Sequence, residues 1–322
     1  MSVATLACTD LARAVAPVPS DSHDSIDATD PHDSHDLRDS HEAACGAPKV
    51  AAHRCRVLGH HAVNARYRYL RLQADAPIAL TTQPGQFYQL KCPVTEHDAP
   101  FLLRPMSVYG TGPEPDTVEF LYNVTGVGTR ALATLAQGAS LDIVGPLGNT
   151  FTLDPRWQRV MFVARGVGLA TMAPLVQRAA KARLKLTVVM SARSAADLMR
   201  DEFLRSPEAH ALADVHCVFD SDGSSAVEAL TPRVRALLDA APHDAVYTCG
   251  SHRLLMLLQR VLQAHPHITA EVAMEQRMAC GMGVCLSCVR LFDCNGDKQF
   301  LRVCREGPVF PIRDVVGEVD FG

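Results

Sequence analysis

Four of the five cysteines between positions 280 and 304 constrain this chain more tightly than any other feature. They run Cys280-Gly281-Met282-Gly283-Val284-Cys285-Leu286-Ser287-Cys288 and then Cys304, spelling C-x4-C-x2-C-x15-C. Any fold must therefore bring three thiols of one tight loop onto a fourth that is remote in sequence. That spacing suits a [2Fe-2S] cluster, whose irons take four thiolates in all. Gly281 and Gly283 let the backbone curl close enough for its N–H groups to point at sulfur. Tetrahedral zinc accepts the same four ligands, although its sites usually show paired C-x2-C units. Eleven cysteines would suggest disulfides in a small secreted chain. Met1 to Ser20, however, lacks a basic start followed by an apolar stretch, and in a reducing compartment clustered cysteines point to metal.

Cys294 competes with Cys304 for the fourth position, and chain geometry separates them. Asn295-Gly296 between two strand-like runs is a strong hairpin signal, the pair forming a type I′ turn. Cys294 then faces Asp297, Phe292 faces Gln299, Arg290 faces Leu301 and Cys288 faces Val303. The returning strand delivers Cys304 beside Cys288, and Cys294 is left at the tip, about 20 Å away at ~3.3 Å per residue.

At 322 residues the chain exceeds what one core usually fills, so two domains and a small third are expected. Its 48% hydrophobic and 20% charged composition is ordinary for a globular protein, and no window approaches the ~18 apolar residues of a membrane span. A cytoplasmic location is expected. Residues 21–42 carry seven Asp and one Glu against one Arg, a net −7, with Asp at every third position from Asp21 to Asp39 and His23, His32, His35 and His41 interleaved. Such a tract has no apolar face to bury, so residues 1–50 read as a disordered extension rather than a metal trap. The remaining +3 is too mild for a nucleic-acid partner.

From His53 to Gly148 short alternating segments dominate, best seen in Val118, Phe120, Tyr122 and Val124. Turn chemistry at Gln83-Pro84-Gly85-Gln86 and from Gly110 to Pro115 punctuates them. An antiparallel β-barrel is predicted over 51–153. After Asp154 the apolar runs Val160–Ala164, Leu184–Met190, Val215–Phe219 and Ala245–Cys249 alternate with helical stretches, the first ending near Lys181 and the others near 195–204, 226–240 and 252–264. That alternation predicts a parallel α/β nucleotide-binding domain over 154–268, with 269–322 left as a small cysteine-bearing domain.

Two strings in the barrel segment read as halves of an anion grip. Arg104-Pro105-Met106-Ser107 falls where a strand would end, and Gly126-Val127-Gly128-Thr129 opens a helical stretch over Arg130 to Gln137. An Arg fork facing a helix N-terminus can hold a diphosphate from two sides; a surface Arg and an ordinary capped helix are the plain alternative. In the α/β segment Gly166-Val167-Gly168 follows a buried strand and opens a helix, as a dinucleotide site requires, though Ala170 makes the string G-x-G-x-A. Cys249-Gly250 ends another strand at the same edge, and Cys249 alone reads as core.

In this order, R-P-x-S, G-x-G-T, G-V-G, C-G and the four cysteines, the chain resembles the ferredoxin reductase superfamily. Within it, Glu275-Gln276-Arg277-Met278-Ala279-Cys280-Gly281 and Val303-Cys304-Arg305-Glu306-Gly307-Pro308-Val309-Phe310 are similar to the electron-transfer subunits of dihydroorotate dehydrogenase, over roughly residues 53 to 315. The resemblance implies a flavoprotein with FAD, NAD and [2Fe-2S]. Arg104 would hold the FAD diphosphate and Ser107 would approach the flavin ring. Pro105, Met106, Leu121, Tyr122, Asn123, Gly128 and Thr129 would complete that site. Gly166, Val167, Gly168, Cys249 and Gly250 would serve the nicotinamide nucleotide, and Cys280, Cys285, Cys288 and Cys304 the cluster. The implied partner is an FMN-bearing catalytic subunit of pyrimidine biosynthesis, with electrons ending on NAD; an oxygenase, a hydrogenase or a ferredoxin is the alternative partner. The chain departs from the common pattern at Asn123, where Arg is usual, at Ala164-Arg165-Gly166, where a glycine run is usual, and at Ser251, where Pro is usual. Arg193, after the second strand, could equally seat the 2′-phosphate of NADP.

Overall fold

The computed structural model describes residues 50–317. The acidic tract, and the disorder expected of it, lie outside the described residues.

Seven strands open the fold: β1 (Ala51–Ala62), β2 (Tyr67–Gln73), β3 (Phe87–Leu90), β4 (Arg104–Ser107), β5 (Gly110–Thr111), β6 (Thr117–Asn123) and β7 (Ser140–Leu147), with a short helix α1 (Val127–Leu132) before β7. They form one antiparallel sheet in the order β4-β3-β7-β1-β2-β6-β5. The sheet wraps round a core that includes Leu70, Leu72, Tyr88, Leu90, Phe120, Tyr122 and Ile143. Val118, Phe120 and Tyr122 all face that core, as their alternation predicts. The sheet is a barrel with two open ends, β4 and β5. The helix expected over Arg130–Gln137 starts earlier and stops sooner. Gly126 takes the N-cap position, and the Thr129 hydroxyl at N3 reaches back to accept from the backbone N–H groups of Thr125 (2.9 Å) and Gly126 (3.0 Å).

The second layer system comprises β8 (Arg159–Arg165), α2 (Gly168–Lys181), β9 (Lys185–Ala192), α3 (Arg200–Leu204), α4 (Pro207–Leu212), β10 (Ala213–Phe219), α5 (Val227–Ala240), β11 (Ala245–Cys249), α6 (His252–Leu262) and β12 (Thr269–Ala273). Beyond it come the hairpin β13 (Val289–Cys294) and β14 (Asp297–Arg302), then β15 (Val309–Pro311). Six strands make one sheet in the order β10-β9-β8-β11-β12-β15, parallel except for the edge strand β15. The unbroken apolar run of β8 follows from burial on both faces. Val160, Phe162 and Ala164 pack under α2, α3 and α4, whereas Met161 and Val163 pack under α5 and α6.

Two sequence expectations are corrected here. The stretch 195–204 is not one helix. A 3-10 turn at Ala195–Asp197 and the five-residue α3 are followed by α4, because Arg205 adopts φ +57° and Ser206 caps a new start, its Oγ accepting from Ala209 N at 3.2 Å. Ser206-Pro207 is an N-cap and N1 signature that the sequence carried in plain view. The α/β sheet also extends past residue 268: Thr269–Ala273 is its fifth strand and Val309–Pro311 its edge, so the cysteine segment leaves and rejoins that sheet. No helix among the described residues is long and apolar enough to cross a membrane.

Candidate functional site

A cavity of about 310 Å³ opens between the barrel, the start of α2 and the segment before Cys280. Pro105, Met106 and Ser107 line it from β4, Leu121, Tyr122 and Asn123 from β6, and Thr129 and Val167 from two helix starts. Strand alternation decides how each contributes. Leu121 packs outside the barrel, whereas Tyr122 is buried inside it, its hydroxyl 2.8 Å from His60 Nε2. Met106 also packs on the barrel core. Tyr122 and Met106, expected as cofactor contacts, line the cavity but also pack on the barrel core. Arg104 lies across Gly128: a Cβ built on Gly128 would sit 2.3 Å from its Nε. The two halves of the anion grip, 24 positions apart, are thus in contact, and only glycine leaves the guanidinium its room. Nη1 of Arg104 donates to the carbonyls of Leu102 (2.6 Å) and Leu103 (3.2 Å).

The parallel sheet has its topological switch point between β8 and β11, from which the chain goes to β9 on one side and β12 on the other. The carboxyl ends of these two strands form the crevice where open α/β sheets bind ligands. Gly166-Val167-Gly168 and Cys249-Gly250 meet there, backbone on backbone. A Cβ on Gly168 would lie 2.6 Å from the Cys249 carbonyl and from Gly250 Cα, and one on Gly250, at φ +95°, 2.4 Å from the Arg165 oxygen. A second cavity of about 170 Å³ is lined there by Gly166, Val167 and Gly250 together with Asn123, Arg165 and Arg193. Arg165 donates to Ser191 Oγ at 2.7 Å and to both Asp220 oxygens at 3.0 and 2.7 Å, tying three strand ends together and holding the Asp220 carboxyl at about 2. Cys249 reaches the crevice by its backbone alone. Its side chain is buried in the core, where desolvation raises its pKa. The site extends through Gly250 instead.

At the cysteines, β13 and β14 adopt the register expected of them: Cys294 opposite Asp297, Phe292 opposite Gln299, Arg290 opposite Leu301. Val303 N donates to the Cys288 carbonyl at 3.1 Å. Asn295 and Gly296 both have positive φ, +58° and +91°, as a type I′ turn demands. Among the described residues no three His, Cys, Asp or Glu side chains gather round one point as ligands for a single ion. The four thiols come together as two pairs, Cys280 with Cys285 and Cys288 with Cys304. Two pairs are what a two-iron cluster asks for, one pair per iron. Backbone N–H groups already face the sulfurs: Met282 (3.4 Å) and Cys285 (3.5 Å) donate to Cys280 Sγ, Gly283 to Cys304 Sγ (3.1 Å) and Cys304 to Cys288 Sγ (3.4 Å). Ser287 beside Cys285 holds that thiol at about 6, whereas burial pushes Cys304 up to about 12.

Sequence reasoning passed over Phe87, Thr171 and Met274, which also wall the larger cavity, together with Pro308, Glu275, Gln276 and Met278 of the stretches that carried the resemblance. These side chains come from strand and helix ends that meet only in three dimensions, and only their place just before Cys280 could have singled out the last three.

Residues 275–316 match the family described as the iron-sulfur cluster binding domain of dihydroorotate dehydrogenase B. The dihydroorotate dehydrogenase B (NAD(+)) electron transfer subunit of Desulforamulus reducens is 32% identical over 249 residues, 77% of this chain and 92% of that protein. The same-named subunit of Streptococcus thermophilus is 34% identical over 236 residues, 73% and 87% of the two chains. In fold, the chain is similar to an NADH-dependent reduced ferredoxin-NADP oxidoreductase, with TM-score 0.65 and 23% identity over 82% of this chain and 90% of that one. It is also similar to the ferredoxin reductase of carbazole 1,9a-dioxygenase, with TM-score 0.52 and 17% identity over 69% of each. Those structures establish the architecture alone. The identity to the curated subunits over nearly their whole length goes further, and the family model covers the segment that holds the paired cysteines: the chain belongs to the family of dihydroorotate dehydrogenase B electron transfer subunits.

Proposed function

We propose that this chain moves electrons between the FMN of a catalytic dihydroorotate dehydrogenase subunit and NAD, in the cytoplasm. The observation that carries this reading is the sequence of sites: a switch-point crevice, a cavity beside it shared by barrel and α2, and the two thiol pairs just past that cavity's far wall. Bound there, FAD would supply two-electron hydride chemistry toward a nicotinamide and a [2Fe-2S] cluster would supply one-electron chemistry toward the partner.

The protein's part is to hold and orient. Arg104, stacked on Gly128, would supply charge-assisted donors to the FAD diphosphate. Pro105, Ser107, Leu121 and Asn123 would seat the ring, with Met106, Tyr122 and Thr129 supporting from the barrel core and the α1 start. Gly166, Val167, Gly168 and Gly250 would let a nicotinamide nucleotide approach the strand ends, with the cationic Arg193 at the rim. Cys280, Cys285, Cys288 and Cys304 would ligate the cluster. Met282, Val284 and Leu286, exposed on the cysteine loop, would meet the partner. In domain terms, residues 51–153 would carry FAD and the α/β sheet the nicotinamide, with the cysteine segment attached to that sheet. The test is the absorption spectrum and metal content of the purified chain, followed by NADH formation from dihydroorotate with and without the catalytic subunit. Zinc in place of iron, or no stimulation on adding the chain, would overturn the reading.

A further inference from the structure

A buried carboxamide stands between the larger cavity and the cysteine loop. Gln89 on β3 is 0% exposed, and among the described residues neither its Nε2 nor its Oε1 has a hydrogen-bond partner. Its neighbours Tyr88 and Leu90 point into the barrel core, so alternation turns Gln89 and Phe87 outward. Its ladder partner is Pro105, which with Phe87 lines the cavity. Its tip lies on Gly281, where a Cβ would come within 2.4 Å of Nε2. Gly281, at φ +72°, directly follows Cys280. A carboxamide that leaves water without finding a partner is costly, and an aliphatic side chain of similar size would avoid that cost. The amide therefore calls for an acceptor that the polypeptide does not itself provide, at a place where the barrel touches the cysteine loop.

We infer that Gln89 donates its Nε2–H to a sulfur of the cluster held by the Cys280–Cys304 loop, and that this bond helps set the cluster's reduction potential. The inference rests on the ligand set proposed above. Reduction adds negative charge to the cluster and its thiolates, and an N–H aimed at sulfur favours the reduced form. Gln89 is thus a positioning residue, one that touches neither substrate nor nicotinamide.

The experiment is an EPR-monitored redox titration of the full-length, flavin-loaded protein, wild type against Gln89→Leu, with iron and sulfide measured in each. The expected result is full iron content and a cluster about tenfold harder to reduce, which for one electron is ~59 mV lower, with the flavin potential unmoved. A loaded variant with unchanged cluster potential, or one in which the flavin potential moves instead, overturns the inference. If Gln89→Leu assembles no cluster, pulsed EPR on reduced wild type labelled with 15N in the glutamine side-chain amide decides. A weakly coupled amide nitrogen supports the bond, and none refutes it. Absence of iron from the wild type would instead overturn the ligand set, so the two failures are distinguishable.

Discussion

Gly168 and Cys304 are the two residues whose identity is most tightly dictated by what surrounds them. An alanine at 168 would drive its methyl into the Cys249–Gly250 backbone at 2.6 Å, where no flexible side chain can yield. Gly168→Ala is therefore expected to cost about 1–3 kcal/mol as overpacking, lowering Tm by roughly 2–4 °C per kcal/mol in a chain of this size. The same change is expected to weaken NADH binding at least tenfold, measured by fluorescence titration; unchanged affinity would mean that the crevice is not the nucleotide site. Cys304→Ser is expected to lose the iron and the reduced-state EPR signal, whereas Cys294→Ser keeps both. Cys294 stands at the hairpin tip, six strand residues from Cys288, with a thiol whose pKa is raised by burial and neighbouring aspartates. Iron lost from the Cys294 variant would sink that assignment.

At the scale of elements, legibility tracked how local the signal was. The hairpin register could be written down from Asn295-Gly296 and strand alternation alone, because a turn type and a period of two are properties of neighbours. The buried strand β8 and helix α2 were equally plain, Lys181 ending the helix where expected. What the sequence withheld was contact between remote segments. Alternation put Leu121 and Tyr122 on opposite faces of β6, but did not say which of the two faces looks onto the α/β layer. Thr269–Ala273 reads as part of the cysteine region until its pairing with β11 is seen. Asn149 gave no signal at all. Yet its Nδ2 donates to the carbonyls of Glu306 (2.9 Å) and Val309 (2.8 Å), and its Oδ1 accepts from Val309 N (2.9 Å), pinning the chain after Cys304 to the end of the barrel. Asn149→Ala is expected to cost about 1–2 kcal/mol for these bonds and to hasten loss of iron to a chelator, with flavin content unchanged. Chelation at the wild-type rate would show that the tie does not brace the cysteines.

At the scale of the whole molecule, Arg104 tests the barrel half. Arg104→Ala removes a guanidinium worth about 1.5–3 kcal/mol against a phosphate, or one to two decades of FAD affinity. Flavin content after gel filtration reads this out, and full retention would take the diphosphate role away from Arg104. The other half depends on how the cysteine segment is attached. Ala273 ends β12 opposite Val309 at the start of β15, so the chain leaves the sheet and returns to it on the same rung. An excursion of that kind is moored at both banks: it can be lengthened, shortened or exchanged in evolution without rethreading a single strand of its host. It also has no swing. A redox carrier on a one-ended tether works by diffusing to its target, and solvent viscosity sets its pace. One moored twice works by separation alone, so added glycerol is expected to leave the rate of flavin-to-cluster electron passage in stopped-flow unchanged, and a rate that falls in proportion to viscosity would mean that the mooring slips.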